Sequence, residues 1–349
     1  MNAIPIKMRG IYLLGHGDLE QLEFRDDIPT PSPGLSDVLI RVSAAGVNNT
    51  DLNTRKAWYS KGTKNLEDAS WAGEAIRFPR IQGIDVCGTI VKVGKRVDKA
   101  MLNQRVIVEP CLREVNGKWL NTPWFLGSEC DGGFAKYVVV ASRHAYPIQS
   151  SFSDVELASF PCSYSTAENL LTRAKVDEND VVCVTGASGG VGSAAVQLAK
   201  ARHAKVIAIA NPSKSNKLKS LGADQVLSRN DHLLQKLGEN QIDVVIDLVA
   251  GEKWGDLLNI LKPFGRYAVA GAIGGAHVNL DVRTLYLKDL NLMGCTVLEP
   301  SVFKNLIQRI EAEEIVPVVA KTFPLHQIAA AQKYFEAKQY TGKIVLTID

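Results

Sequence analysis

The sequence predicts an α/β protein of two domains, one rich in short strands and one built on a doubly wound parallel sheet. Three observations predict it. The 349 residues exceed one typical compact domain. The texture changes near residue 150, from short β-type runs broken by turn formers to apolar strands alternating with helical segments. Finally, a strand, a glycine-rich turn and a helix start follow one another over 181–192.

In chain order, the first strand-like runs are Val38–Val42, Gly88–Val93, Arg105–Val108 and Ala135–Val140. Turn-forming stretches such as Pro29–Gly34 and Val115–Pro123 separate them. Short strands so punctuated suggest a compact, partly closed β-domain. Ser60–Phe78 shows no periodicity, and a loop of that length suggests a lid or flap. Beyond 150, Val181–Thr185, Lys205–Ala210, Val244–Asp247 and Arg266–Ala270 are continuous apolar runs, as in a sheet covered on both faces. The helical segments Ser193–Arg202, Lys214–Leu221 and Trp254–Leu261 lie between them as crossovers. A helical stretch at Ile328–Ala337 and a strand-like run at Lys343–Ile348 close the chain. Periodicity leaves open which domain they join.

Composition excludes several function classes. Hydrophobic residues make up 46% and charged residues 22%, ordinary values for a globular protein. The net charge is +3, with no basic run or aromatic–basic stripe, which argues against nucleic acid as a partner. No apolar stretch is long enough to span a bilayer, so no membrane partner is expected. The opening MNAIPIKMRG lacks the apolar run of a signal peptide, and a cytoplasmic location is expected. Six cysteines without CxxC spacing or histidine neighbours read as thiols of a reducing compartment.

The turn Gly186-Ala187-Ser188-Gly189-Gly190-Val191-Gly192 is the first chemical signal. Residues without a Cβ let backbone N–H groups approach a pyrophosphate, and Gly192 permits tight helix–strand packing. The spacing is GxxGxxG, in the strand–turn–helix context that a dinucleotide site requires. An NAD site usually carries Asp or Glu at the end of the second strand, to accept from the ribose hydroxyls. Here that end reads Ala210-Asn211-Pro212-Ser213-Lys214, without a carboxylate. Asn211, Ser213 and Lys214, with Arg229 after the next strand, suit a 2′-phosphate instead. NADPH is the expected cofactor.

With these residues in view, the chain resembles the medium-chain dehydrogenase/reductase superfamily over nearly its whole length. The matching pieces are Ala45-Gly46-Val47-Asn48-Asn49-Thr50-Asp51, Gly83-Ile84-Asp85-Val86-Cys87-Gly88, Asp131-Gly132-Gly133-Phe134-Ala135, the glycine turn, Gly222-Ala223-Asp224 and Gly342-Lys343-Ile344-Val345-Leu346. The resemblance implies a GroES-like catalytic domain, residues 1–150 and 298–349, interrupted by a Rossmann NADP(H)-binding domain, residues 151–297. Zinc members of the superfamily use a Cys after the GV pair, a His in a GHE motif and a Cys before the Rossmann domain. Asn48, Ile84 and Cys162 stand at those positions, and Asp85 stands at the glutamate. One thiol and one carboxylate are too few for catalytic zinc, and Cys111 and Cys130 alone do not make the four-cysteine structural lobe. No metal is expected. What remains is the branch of quinone oxidoreductases and 2-enoyl thioester reductases, which carry Asn after GV.

Without a metal, the oxyanion formed as hydride arrives must be met by hydrogen-bond donors. The resemblance places the enoyl reductases' proton-donating Tyr at Tyr59, although the long Ser60–Phe78 insertion and Trp58 depart from the pattern. Asn48 would offer an amide donor to substrate oxygen or cofactor ribose, and Thr166 would lie by the nicotinamide. Asp51 would fix the loop. Gly271, Ala272 and Ile273 would lie against the nicotinamide, with Val249 and Lys343 completing the cofactor contacts. The function so implied is zinc-independent, NADPH-dependent hydride transfer to a small-molecule quinone or α,β-unsaturated carbonyl. The alternatives are an alcohol or aldehyde dehydrogenase and a non-catalytic NADPH-binding protein. A homodimer paired near Leu290–Val297 is also implied.

Overall fold

A computed structural model describes residues 3–60, 70–71 and 75–349. The lid or flap expected within Ser60–Phe78 falls mostly on residues outside those described. Two compact units divide the chain. The first comprises Met1–Cys162, Val319–Gln339 and Lys343–Asp349; the second comprises Ser163–Val318 and Tyr340–Gly342.

In the first unit, the strand Asp37–Val47 is central: it is mostly apolar and nearly every residue on it is buried. It pairs antiparallel with Cys87–Val93 along one edge. Along the other, Tyr137–Ala141 covers its first half and Lys343–Thr347 its second. The sheet continues outward through Val319–Pro324 at one end and through Arg105–Val108 and Ala145–Pro147 at the other. The C-terminal strand therefore belongs to the first unit. Two hairpins flank this sheet, Lys7–Leu13 with Leu22–Pro29 and Cys111–Val115 with Lys118–Phe125.

The second unit holds six parallel strands in the order Gln225–Ser228, Lys205–Ala210, Val181–Val184, Ile242–Asp247, Leu261–Val269 and Asn291–Gly294. In sequence order this is 3-2-1-4-5-6, with the reversal between Val181–Val184 and Ile242–Asp247. Ligands of such sheets bind beyond the carboxyl ends of the strands at that reversal. Cys183, Ile207, Val245, Trp254, Leu257 and Tyr267 are among the side chains of its core.

Both junctions differ from the expected 150 and 298. The short helix Asp154–Leu157 packs on Asp37–Val47 and Cys87–Val93, which keeps it with the first unit. Val316 is held by the second unit: its carbonyl accepts from the Tyr164 hydroxyl at 2.7 Å, and its N–H donates to Gln197 Oε1 at 2.9 Å. None of the six cysteines forms a disulfide. Among the described residues, no helix is long and apolar enough to cross a membrane.

Candidate functional site

The glycine turn sits at the carboxyl end of Val181–Val184, where the strand order reverses. Gly186 has φ +57°, a conformation that side chains disfavour. A Cβ on Gly192 would strike the Gly186 carbonyl oxygen and lie 2.6 Å from Ala187 Cα. The helix begins at Gly190 rather than at Ser193, where the apolar pattern starts. Its first intrahelical bond is Ser193 N–H to Gly189 carbonyl oxygen, 2.8 Å. The first-turn N–H groups of Gly190, Val191 and Gly192 thus have no intrahelical acceptor and sit at the positive end of the helix. This is a cradle for an anion. Ser188 is tied by its carbonyl to Gly342 N–H at 3.1 Å, and Ala187 N–H donates to Ile209 carbonyl oxygen.

At the end of the second strand, Asn211 is spent locally, its Oδ1 accepting from Ser213 N–H at 3.0 Å. Arg229 N–H reaches Ala210 carbonyl oxygen at 3.0 Å, which brings exposed Arg229 beside this strand end. Lys253, which no pattern singled out, joins them by donating to the Arg229 carbonyl at 2.5 Å. The Val249 side chain flanks the turn, 3.1 Å from where a Gly186 Cβ would stand. Gly271 is small by necessity, since a Cβ there would lie 2.6 Å from Leu248 carbonyl oxygen. Ala272 is half-buried and Ile273 is 65% exposed. Thr166 lies inside the helix Pro161–Arg173, half-buried, and so does not cap it.

In the first unit a buried charged cluster gathers around Asp85. Its Oδ2 accepts from Lys343 Nζ at 2.7 Å and from Asn48 Nδ2 at 2.8 Å; its Oδ1 accepts from Cys162 N–H at 2.6 Å. Lys343 Nζ also donates to Asn48 Oδ1 at 2.5 Å. Asp85, Lys343 and Asn48 are all buried. Gly46 makes room, since a Cβ there would strike the Asp85 carboxylate. Asn48 Nδ2 is further shared with the Gly46 carbonyl at 3.3 Å. Both ends of the Asn48 amide are thereby bonded to protein partners. Lys343, expected among the cofactor contacts, points two of its donors inward. Asp51 stands not in a loop but in the first turn of the helix Asn49–Arg55, where its Oδ2 accepts from the N-cap Asn48 N–H at 2.8 Å. Burial pushes its carboxyl up to about 7, opposed by that hydrogen bond; the Asp85 charge adds to the rise and Lys343 opposes it.

Tyr59 follows the helix Asn49–Arg55 and receives a long hydrogen bond from Asn53 Nδ2 at 3.4 Å. Burial raises its pKa above the ordinary value, opposed by hydrogen bonds from Thr50 and Asn53, so the phenol keeps its proton. It stacks on Trp71, centroids 6.0 Å apart, which stacks on Phe125 at 4.1 Å; Trp58 meets Tyr59 edge-on at 5.4 Å. Trp58 is 48% exposed.

Two family models match: an alcohol dehydrogenase GroES-like domain on residues 34–150 and a zinc-binding dehydrogenase on residues 190–312. A quinone oxidoreductase of Lama guanicoe is 30% identical, covering 98% of this chain and 98% of that protein. The chain belongs to the medium-chain dehydrogenase/reductase superfamily. Within the superfamily it falls in the quinone oxidoreductase-like branch. An NAD-dependent alcohol dehydrogenase of Sulfurisphaera tokodaii is 29% identical over 97% of this chain and 99% of its own. A crystal structure from Sinorhizobium meliloti 1021, provisionally assigned as an alcohol dehydrogenase, superposes with TM-score 0.93 at 40% identity, covering 100% of this chain and 99% of that one. The superfamily is one of oxidoreductases that bind a nicotinamide cofactor.

The residues of this superfamily member fit one of the two groups that its relatives suggest. The glycine cradle, which a single Cβ at Gly192 would fill, fits a dinucleotide. Zinc does not fit. Ile84 is apolar, the Asp85 carboxylate is taken by three donors, and one of these is an ammonium 2.7 Å away. Among the described residues, no group of three or more His, Cys, Asp or Glu side chains could hold a metal ion.

Proposed function

We propose that the chain is a zinc-independent, NADPH-dependent reductase of quinones or α,β-unsaturated carbonyls. The observation that carries the reading is the Asp85 cluster, where the Lys343 ammonium pairs with the buried Asp85 carboxylate and with Asn48. A bound nicotinamide supplies hydride to the acceptor. The resulting enolate or phenolate takes its proton from the Tyr59 hydroxyl, which burial keeps protonated, and solvent reprotonates the tyrosine. Asn48, Lys343 and Asp85 hold the segment that carries this tyrosine. The ring ladder of Tyr59, Trp71 and Phe125, with Trp58 at its edge, supports a planar, electron-poor acceptor. Lys214, Arg229 and Lys253, with no carboxylate closing the second strand, support a 2′-phosphate. A second reading, alcohol or aldehyde dehydrogenase, is favoured by the likeness to the Sinorhizobium meliloti structure.

Assays on protein purified in chelator test both readings. NADPH is expected to be oxidised by quinones or enones faster than NADH, with aldehydes inert, and Tyr59→Phe is expected to lower kcat roughly 10²- to 10⁴-fold. Turnover with aldehydes alone would support the second reading. Stoichiometric zinc whose removal abolishes activity and whose return restores it would overturn zinc independence.

We also propose a homodimer joined through the edge strand Asn291–Gly294. That strand carries half-exposed Leu292, and the neighbouring Leu287 is 71% and Tyr286 59% exposed. Light scattering is expected to give twice the 38.0 kDa chain mass, and Leu292→Lys to halve it. A monomer at micromolar concentration refutes this assembly.

A further inference from the structure

A buried carboxylate in the second unit has no part in the reading above. Asp247 ends the apolar strand Ile242–Asp247 and is 0% exposed. Burying an ionised carboxyl is costly unless donors surround it. Here they do. Thr185 Oγ1 donates to Oδ1 at 2.5 Å and Tyr267 OH to Oδ2 at 2.5 Å. Val249 N–H donates to Oδ1 at 2.9 Å, and Ala250 N–H is shared between Oδ1 at 3.1 Å and Oδ2 at 3.2 Å. The Thr185 oxygen in turn accepts from Leu248 N–H at 2.9 Å. One side chain thus gathers the carboxyl ends of three neighbouring strands at the point where the sheet order reverses.

The residues it holds form the walls around the glycine turn. Ala250 has φ +55°, unfavourable for a residue with a Cβ, and its N–H is the group shared between both Asp247 oxygens. Val249, held by its N–H, flanks Gly186. Its carbonyl accepts from Gly274 N–H at 2.7 Å, and a Cβ on Gly251 would lie 2.7 Å from the Gly274 carbonyl carbon. The segments 248–251 and 271–275 are therefore locked to each other, and 248–251 is locked to Asp247.

We propose that Asp247 is the positioning residue that sets cofactor affinity. It fixes 248–251 against the phosphate turn and, through that segment, fixes 271–275. Thr185 is its essential relay, because its one hydroxyl serves both Asp247 and Leu248. The proposal rests on the reading that the glycine turn holds the dinucleotide.

The test is NADPH affinity by fluorescence titration of full-length Thr185→Val, Thr185→Ser and Asp247→Asn, beside steady-state kinetics and melting of the cofactor-free proteins. Thr185→Val is expected to raise the Kd about tenfold, with the loss in KM for NADPH and little in kcat at saturation. Thr185→Ser restores the hydroxyl and with it the affinity. Asp247→Asn is expected to weaken binding by a similar factor, since an amide turns hydrogens toward the donors that one carboxylate oxygen accepts from. Unchanged Kd in Thr185→Val and Asp247→Asn, with lowered melting temperatures only, would reduce Asp247 to a core residue and overturn the proposal. Failure of the wild-type protein to bind any nicotinamide dinucleotide would instead sink the reading on which it rests.

Discussion

Lys343→Met is expected to abolish turnover and to cost about 3–5 kcal/mol of stability, the scale for removing one partner of a buried ion pair. The ammonium touches both the Asp85 carboxylate and the Asn48 amide oxygen, and Asp85 is fully buried, so its charge would be left without its ionic partner. The double variant Asp85→Asn, Lys343→Met removes both charges and is expected to regain most of the stability but not the activity. Denaturant melts and kcat/KM on the single and double variants separate the two effects. The pH dependence carries its own sign. Asp51 stands at about 7 in the fold against an ordinary 3.8, so the folded chain binds that proton more tightly. Its contribution is fully present below about pH 4 and is lost as pH rises through about 7. Lys343 pulls the Asp51 value down, so removing it shifts the window upward, and the variant is expected to lose stability further above pH 7 than the wild type. Full activity in Lys343→Met would show that the cluster is dispensable.

Much of this was legible in the sequence, for reasons that differ by residue. The glycine turn could be read because its positions answer to the backbone alone: Gly186 to its dihedral angle, Gly192 to the carbonyl beside it. The parallel sheet could be read from continuous apolar strands. The helix start at Gly190 could not, because apolar periodicity begins only where the helix meets the core. Asn48 was found by residue type, but its direction depends on Lys343, 295 residues away, and no local pattern encodes that pairing. The same holds for Trp71 on Phe125, and for Lys253 beside Arg229. Asp247 left one faint trace, a carboxylate ending an apolar strand. The ends of the two units are not written in composition, because Asp154–Leu157 and Val316 take their allegiance from packing.

Gly192→Ala is expected to raise the Kd for NADPH about 100-fold, some 2.7 kcal/mol, and to destabilise the cofactor-free protein by about 1–3 kcal/mol. The added methyl would meet the Gly186 carbonyl oxygen and Ala187 Cα, both backbone atoms of the turn itself, with no flexible side chain to swing aside. Relief requires the helix start to move off the turn, and that movement carries the Gly190, Val191 and Gly192 N–H groups away from the anion they would bind. Gly189 provides the contrast. A Cβ there has only the Gly186 carbonyl oxygen in reach, at 3.5 Å, an ordinary contact. Gly189→Ala is therefore expected to melt within a degree or two of the wild type without cofactor. Melting curves of both variants, with and without NADPH, decide the matter. If Gly192→Ala keeps the wild-type shift on adding NADPH, the cradle is not where the pyrophosphate sits.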